Sequence, residues 1–288
     1  MTSSVITNKN QLLNQYGGFM IDHNISEIFD IAHCVADYRY VNNIHSYYIN
    51  PDHLTHRRAH MEGKLVTNYT RIPAGVFLPT NTYTENCKIL VKNHINCWRA
   101  AMDDDRDGAF FFEDDVYFLK NWKNVVANIF KNKGRENVNI IRFDPIPFIR
   151  ADDLCDNECV VFPLNARACM GGYYMSINAI SRALNEVNLI DNYNGDVEQF
   201  LNHICYSHYN GSIYETTPRI CIQNWFLNNE STLQQSDHMI LLRNAMNSYL
   251  KQYKHRYDLN EDELLMIEDN IKQDDSPPFV EKILGVDI

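Results

Sequence analysis

Long apolar runs are missing from this chain, and no stretch approaches the roughly 20 consecutive apolar residues that a membrane-spanning helix requires. The first residues, MTSSVITNKNQLLNQYGG, also lack the short apolar core of a secretory signal, so a cytoplasmic protein without a membrane span is expected. Positive charge is scarce: 26 Lys and Arg stand against 37 Asp and Glu, a net charge of -11. That balance excludes the clustered basic footprint of a nucleic-acid binder, and an anionic ligand would need help from a metal ion. The eight cysteines form no C-x2-C pair, which argues for free thiols over a disulfide framework or a zinc site. Internal repeats and long linkers are absent as well.

What is present is ample material for a core: 288 residues, 45% of them apolar and 12% aromatic. Strand-like segments at Ile44 to Ile49, Tyr69 to Ile72, Phe110 to Val116, Val138 to Phe143, Cys159 to Phe162 and Gly171 to Ser176 alternate with helical patterns. The clearest helices are expected after Arg57 and Arg58, over Glu85 to Met102, over Ala179 to Val187 behind a Ser176 or Asn178 cap, and up to about Tyr206. Capping boxes at Asn24 to Glu27 and Asn260 to Glu263 predict further helices near both ends. This alternation predicts an α/β fold with a mixed, mostly parallel central sheet flanked by helices. The expected organisation is an N-terminal extension (1–43), a catalytic domain (44–235) and a helical C-terminal extension packed on it (236–288).

The most informative segment is Phe110-Phe111-Phe112-Glu113-Asp114-Asp115-Val116. Three aromatics that read as a buried strand run into three carboxylates, and carboxylates crowded together repel unless protonated or neutralised. A hard divalent cation such as Mn2+ or Mg2+, held by Glu113, Asp114 and Asp115, resolves the conflict and leaves an open position for a phosphate. In α/β sheets ligands gather at the carboxyl ends of strands, where Asn50 and the Arg57-Arg58 pair also fall. A competing pattern, Asp103-x-Asp105-x-Asp107-Gly108, matches the opening of an EF-hand calcium loop but puts Asp114 where the terminal Glu belongs. His53, His56 and His60 read as a solvated helix face.

Taken in order, YYINPDHLTHRRAHM, KNHINCWRAAMDDDRDGAFFFEDDVYF, GGYYMSINAISRAL, Asp196 and TPRICIQNWFLNNES resemble glycosyltransferase family 25, the lipooligosaccharide and collagen galactosyltransferases, over about Ile44 to Ser231. Similar sequences occur in large DNA viruses, which would make the location host cytoplasm. The resemblance implies a GT-A-type nucleotide-sugar fold with the acidic triplet as its metal-binding segment. Asn50, Arg57, Arg58, Asp114, Gly171 and Gly172 would then lie against the nucleotide, with His94 and Trp98 on the helix preceding the acidic strand. The chain departs from the family in its three phenylalanines, where aliphatic residues are usual, and in its two terminal regions.

The expected activity is metal-dependent, inverting transfer of a sugar from a nucleotide diphosphate, with UDP-galactose, UDP-glucose or UDP-xylose first in line, to a carbohydrate or glycoprotein hydroxyl. Inversion requires a base on the acceptor side. Asp196 is the first candidate and Glu198 the second, although either also suits a helix start. Tyr173 and Trp225 could stack on sugar rings or belong to the core. The alternatives are a carbohydrate-binding protein that kept the fold without turnover and an EF-hand-like calcium binder.

Overall fold

The computed structural model describes residues 36–65, 68–75, 82–144, 159–160, 171–193, 197–209, 213–216, 219–223 and 254–265. The predicted helix at Asn24, Asp196, Trp225, and Cys155 and Cys169 lie outside them.

In chain order the elements are β1 (His45–Asn50), α1 (Thr55–Leu65), β2 (Tyr69–Pro73), α2 (Tyr83–Asp103), β3 (Gly108–Glu113), β4 (Val116–Phe118), α3 (Trp122–Lys133), β5 (Ile140–Arg142), β6 (Cys159–Val160), β7 (Gly172–Ser176), α4 (Ile177–Asn185), α5 (Val197–His208), β8 (Ile213–Thr216) and β9 (Cys221–Gln223). Seven strands form one sheet in the order β2-β1-β3-β7-β5-β8-β6. β1 is parallel to both β2 and β3, and β5 to β8, while β7 runs against β3 and β5 and β6 runs against β8. Five strands therefore point one way and two the other, so the expected mixed, mostly parallel α/β sheet is what the chain forms.

The sheet is buried on both faces, which explains why β1 and β3 read as continuous apolar runs and not as alternations. On one face Tyr48, Phe110 and Phe112 pack with Met61 and Leu65 of α1 and with Trp122, Val126, Ile129 and Phe130 of α3. On the other, Tyr47, Ile49 and Phe111 pack with Val91, Trp98 and Ala101 of α2, Ala179 and Ile180 of α4 and Phe200 of α5. Fully burying one such aromatic stabilises by roughly 2 to 3 kcal/mol, so the three phenylalanines tie β3 firmly to both layers.

Local signals account for the helix starts. Thr82 caps α2 through a reciprocal box with Glu85, and Ser176 caps α4 by accepting from the Ala179 amide. At Asn260 the box forms in both directions, 2.7 and 2.8 Å. Two elements depart from the sequence reading. The acidic strand is interrupted: β3 ends at Glu113, Asp114 and Asp115 make a turn, and β4 joins a separate two-stranded sheet with β9, in a stretch that reads as irregular. Helix α3, whose apolar residues recur at Val125, Val126, Ile129 and Phe130, also escapes the sequence reading.

The chain between 254 and 265 seals the small sheet. Lys120 donates its amide to the Arg256 carbonyl, Asp258 donates to Phe118, and Tyr257 is buried in the first core layer. Among the described residues no helix is long and apolar enough to cross a membrane.

Candidate active site

All five co-directed strands finish at one edge of the large sheet, and reversed β7 begins there. Register places the neighbours: Ile49 of β1 stands opposite Glu113, Phe112 opposite Gly172, and Arg142 opposite Tyr173. Glu113 donates its amide to the Gly171 carbonyl (2.9 Å), and Phe143 donates to Gly172 (2.9 Å). Asn50, Glu113, Gly171 and Asp144 thus follow one another along the rim. The order reverses between β1 and β3, which is where open α/β sheets bind ligands.

On the β1 side the acidic turn is tied down. Asp114 is 7% exposed; its Oδ2 accepts from Asn50 Nδ2 (2.6 Å) and its Oδ1 from Arg57 (3.3 Å). Burial raises the Asp114 carboxyl above the usual range, and Arg57 and the Asn50 hydrogen bond oppose that rise. Asn50, fully buried, is held in turn by Arg71, whose Nε donates to Asn50 Oδ1 and whose Nη2 donates to the Asn50 carbonyl, both 3.0 Å. Arg71 also pairs with Asp52. Arg58 turns to the Asp52 carbonyl (3.2 Å) and does not reach the acidic turn, so the structure separates the two arginines.

Glu113 sits above a buried polar column. Trp98 Nε1 donates to the Tyr173 hydroxyl (2.9 Å), and that hydroxyl lies 2.9 Å from His94 Nδ1. Donation from the hydroxyl to Nδ1 satisfies the indole, the hydroxyl and Nδ1 and leaves the imidazole proton on Nε2, which is buried without a hydrogen bond among the described residues and lies 3.5 Å from Glu113 Oε1. The other carboxylate oxygen of Glu113 accepts from Gln223 Nε2 of β9 (2.8 Å). Tyr173, 1% exposed, is a core residue whose hydroxyl supports His94, which corrects the idea that its ring stacks on a sugar.

Toward β5 the carboxylates lose their partners. Asp115 Oδ1 and both oxygens of Asp144 are buried without a hydrogen bond. Burial pushes Asp115 well above the carboxylate range, and the charge on Glu113 adds to it. Burial raises Asp144 to about 7; Arg219 pulls against the shift through space and Glu113 adds to it. Gly171 makes room here, because a Cβ at that position would come within 2.8 Å of Asp144 Oδ2 and 2.9 Å of Gln223 Cδ. A Cβ at Gly172 would meet Cys221 Sγ and the Phe112 ring.

The residues present suit a hard divalent cation by their donor chemistry, since buried carboxylate oxygens without partners need a proton or a cation. Among the described residues no three or more His, Cys, Asp or Glu side chains are arranged to hold a metal ion as they stand. The calcium-loop alternative is overturned. After α2, which runs to Asp103, the chain enters buried β3 at Gly108 and β4 at Val116, where a calcium loop requires an exiting helix. The histidine expectation also changes, because His60 contacts the Val116 carbonyl (3.0 Å) and Glu263 (3.4 Å).

No family model matches the chain, and no curated protein matches it. Among solved structures it is similar to a glycosyltransferase involved in the glycosylation of the major capsid of PBCV-1. Identity is 12%, the match covers 61% of this chain and 81% of that one, and the TM-score is 0.39. A likeness at this level carries no argument about site or substrate. These comparisons do not place the chain in glycosyltransferase family 25.

Strand ends pointed to Asn50, Arg57, Arg58, Glu113, Asp114 and Asp115, and the resemblance to Gly171 and Gly172; the structure brings all but Arg58 to this rim. Glu198 falls in the first turn of α5, half-buried beside the second core layer. Asp144, Arg71 and Gln223 were missed. Asp144 carried one usable signal, a carboxylate directly following an apolar strand, the same pattern that singles out Glu113.

Proposed function

We propose that the chain is a metal-dependent, inverting glycosyltransferase that moves one sugar from a nucleotide diphosphate donor to a carbohydrate hydroxyl. The observation that carries the reading is the pair of buried, unpartnered carboxylates, Asp115 and Asp144, beside Glu113 at a sheet edge that also presents Arg57. The ordered motifs shared with glycosyltransferase family 25 support it. UDP-galactose, UDP-glucose and UDP-xylose are the donors to try first.

Asp115, with Glu113 or Asp114, would hold Mn2+ or Mg2+; a divalent ion there neutralises the charge that builds on a diphosphate leaving group. Arg57, already drawn to the rim by Asp114, contributes charge-assisted hydrogen bonds to phosphate oxygens. Arg71 and Asn50 fix the loop that leads into α1, which carries it. Gly171 and Gly172 give their side-chain space to Asp144, Gln223, Cys221 and Phe112, which close-packs the start of β7 beneath the donor. Gln223 holds one oxygen of Glu113 by hydrogen bond, and the His94–Tyr173–Trp98 column places the His94 imidazole 3.5 Å below the other. On the acceptor side Asp196 or Glu198 takes the hydroxyl proton as the oxygen attacks the anomeric carbon.

The test is release of UDP from UDP-sugars in the presence of Mn2+. Wild-type release that Asp115→Asn removes, with the variant still melting cooperatively, is the expected result. Mn2+-independent sugar binding with no release would instead favour a binding protein on the same fold. Asp196→Asn and Glu198→Gln then identify the base, as the one that lowers transfer to an acceptor by about 100-fold or more.

A further inference from the structure

The three consecutive acids differ in what they already hold. Asp114 has a partner on each oxygen, Asn50 at 2.6 Å and Arg57 at 3.3 Å, and both partners are anchored by the β1 and α1 framework. A cation at Asp114 would have to displace the Arg57 guanidinium, a like charge, and strand the Asn50 amide. Asp115 keeps one oxygen free and buried. Asp144, 0% exposed, keeps both, and Arg219 acts on it only through space.

Asp144 also faces the right way. Its Oδ2 lies beside the point where a Gly171 Cβ would stand, and Gln223 fills the same space while donating to Glu113. The position of Gly171, between Glu113 and Asp144 on the rim, is thus taken up by Gln223 and the Asp144 carboxylate, and Glu113 and Asp144 act on one another electrostatically. A buried carboxylate with two unused acceptors costs several kcal/mol if it stays charged and alone. A shared cation removes that cost for Asp115 and Asp144 together.

We infer that the divalent cation is ligated by Asp115 and Asp144, with Glu113 completing the set, and that Asp114 is no ligand but a positioning residue that fixes Asn50 and Arg57. This assignment rests on the metal-dependent reading above but moves the site away from the D-x-D triplet toward β5. The donors do not converge as they stand, so binding would require Asp115 and Asp144 to shift and Gln223 to give way beside Gly171.

The test is Mn2+ affinity of nucleotide-free protein, followed by electron paramagnetic resonance of free Mn2+ and by calorimetry. Asp144→Asn and Asp115→Asn should each weaken binding by about tenfold or more, whereas Asp114→Asn should change it by less than about threefold. Metal-free Asp144→Asn should melt at or above the wild-type temperature, since it removes a buried charge, and should lose the rise in melting temperature that Mn2+ gives wild type. Wild-type affinity in Asp144→Asn, or a tenfold loss in Asp114→Asn alone, overturns the assignment, as does a wild type that binds no Mn2+ with or without UDP. If Asp144→Asn does not melt cooperatively, Asp144→Ser is measured in its place; failure of both makes Asp144 a core acid and ends the proposal. Turnover is scored separately. UDP-sugar hydrolysis that survives with unchanged Mn2+ affinity in Asp144→Asn sinks this inference alone, and Mn2+ binding lost in that variant without any wild-type hydrolysis sinks the glycosyltransferase reading alone.

Discussion

The two halves of the acidic rim contain the same functional group in opposite circumstances. Toward β1, Asp114 is paired on both oxygens and its partners are themselves braced by Arg71. Toward β5, Asp144 is more deeply buried than Asp114, and both oxygens of Asp144 and Oδ1 of Asp115 have nothing to accept from among the described residues. Folding alone explains the first half: a buried carboxylate with an amide and a guanidinium is a satisfied structural unit. It does not explain the second, where buried carboxylate oxygens without donors cost stability. The comparison teaches that carboxylates kept against the interest of stability mark chemistry, while those kept in its service mark scaffolding.

The contrast is broken most severely by removing acids on the unpartnered side. Asp115→Asn is expected to lower Mn2+-dependent UDP release by about 100-fold or more while leaving the metal-free melting temperature unchanged or raised, measured by coupled UDP detection and calorimetry. The paired side should respond in stability. Asn50→Ala leaves Asp114 and Arg71 without a shared partner in a fully buried position and should cost about 2 to 4 kcal/mol in urea unfolding. A result near zero would mean that the β1 half is not the braced scaffold described.

The junction between the halves is probed by Gly171→Ala, whose Cβ would crowd Asp144 and Gln223. Overpacking of about 1 to 3 kcal/mol is expected, together with weaker Mn2+ binding.

Proton linkage sharpens the same distinction. The folded-state pKa of Asp144 is raised to about 7, so below about pH 4 both folded and unfolded chains carry the proton and its favourable contribution is complete. As pH rises from about 4 through about 7 the unfolded chain releases that proton first, and metal-free stability falls by up to a few kcal/mol. Asp115 adds a decline of the same sign. Unfolding by urea between pH 4 and 8 should show this slope, flattened in Asp144→Asn and opposed by saturating Mn2+. The smallest effect belongs to Asp52→Ala: that side chain is 79% exposed and its ion pair with Arg71 is solvated, so no measurable change in melting temperature is expected.

Much of the scaffold was legible in the sequence because its signals are local. The Thr82 and Ser176 caps, the α2 periodicity and the apolar runs of β1 and β3 each act within one turn or one strand. α3 was overlooked although its apolar spacing is regular, since the neighbouring Val116-Tyr117-Phe118 strand signal blurs its start. β9 was unreadable because three residues form a strand only by pairing with β4, over a hundred positions earlier. The same reasoning divides the rim. Glu113, Asp114 and Asp115 announce themselves by crowding, and Asn50 and Arg57 by following a strand. Asp144 reads as an ordinary Asp-Pro strand ending, and what brings it to the rim of Glu113 is that β5 runs with β3 only one strand away, across β7, a matter of sheet order that no local pattern encodes.

That one reversed strand has a further bearing on how the rim is built. A co-directed strand would bring its carboxyl end, and a crossover behind it, into the centre of the row; β7 instead enters there with Gly171 and Gly172 and leaves on the far side. The middle of the rim is thereby an arrival point, and the connection that leaves β7 starts beyond Ser176, at the opposite edge of the sheet from the acids.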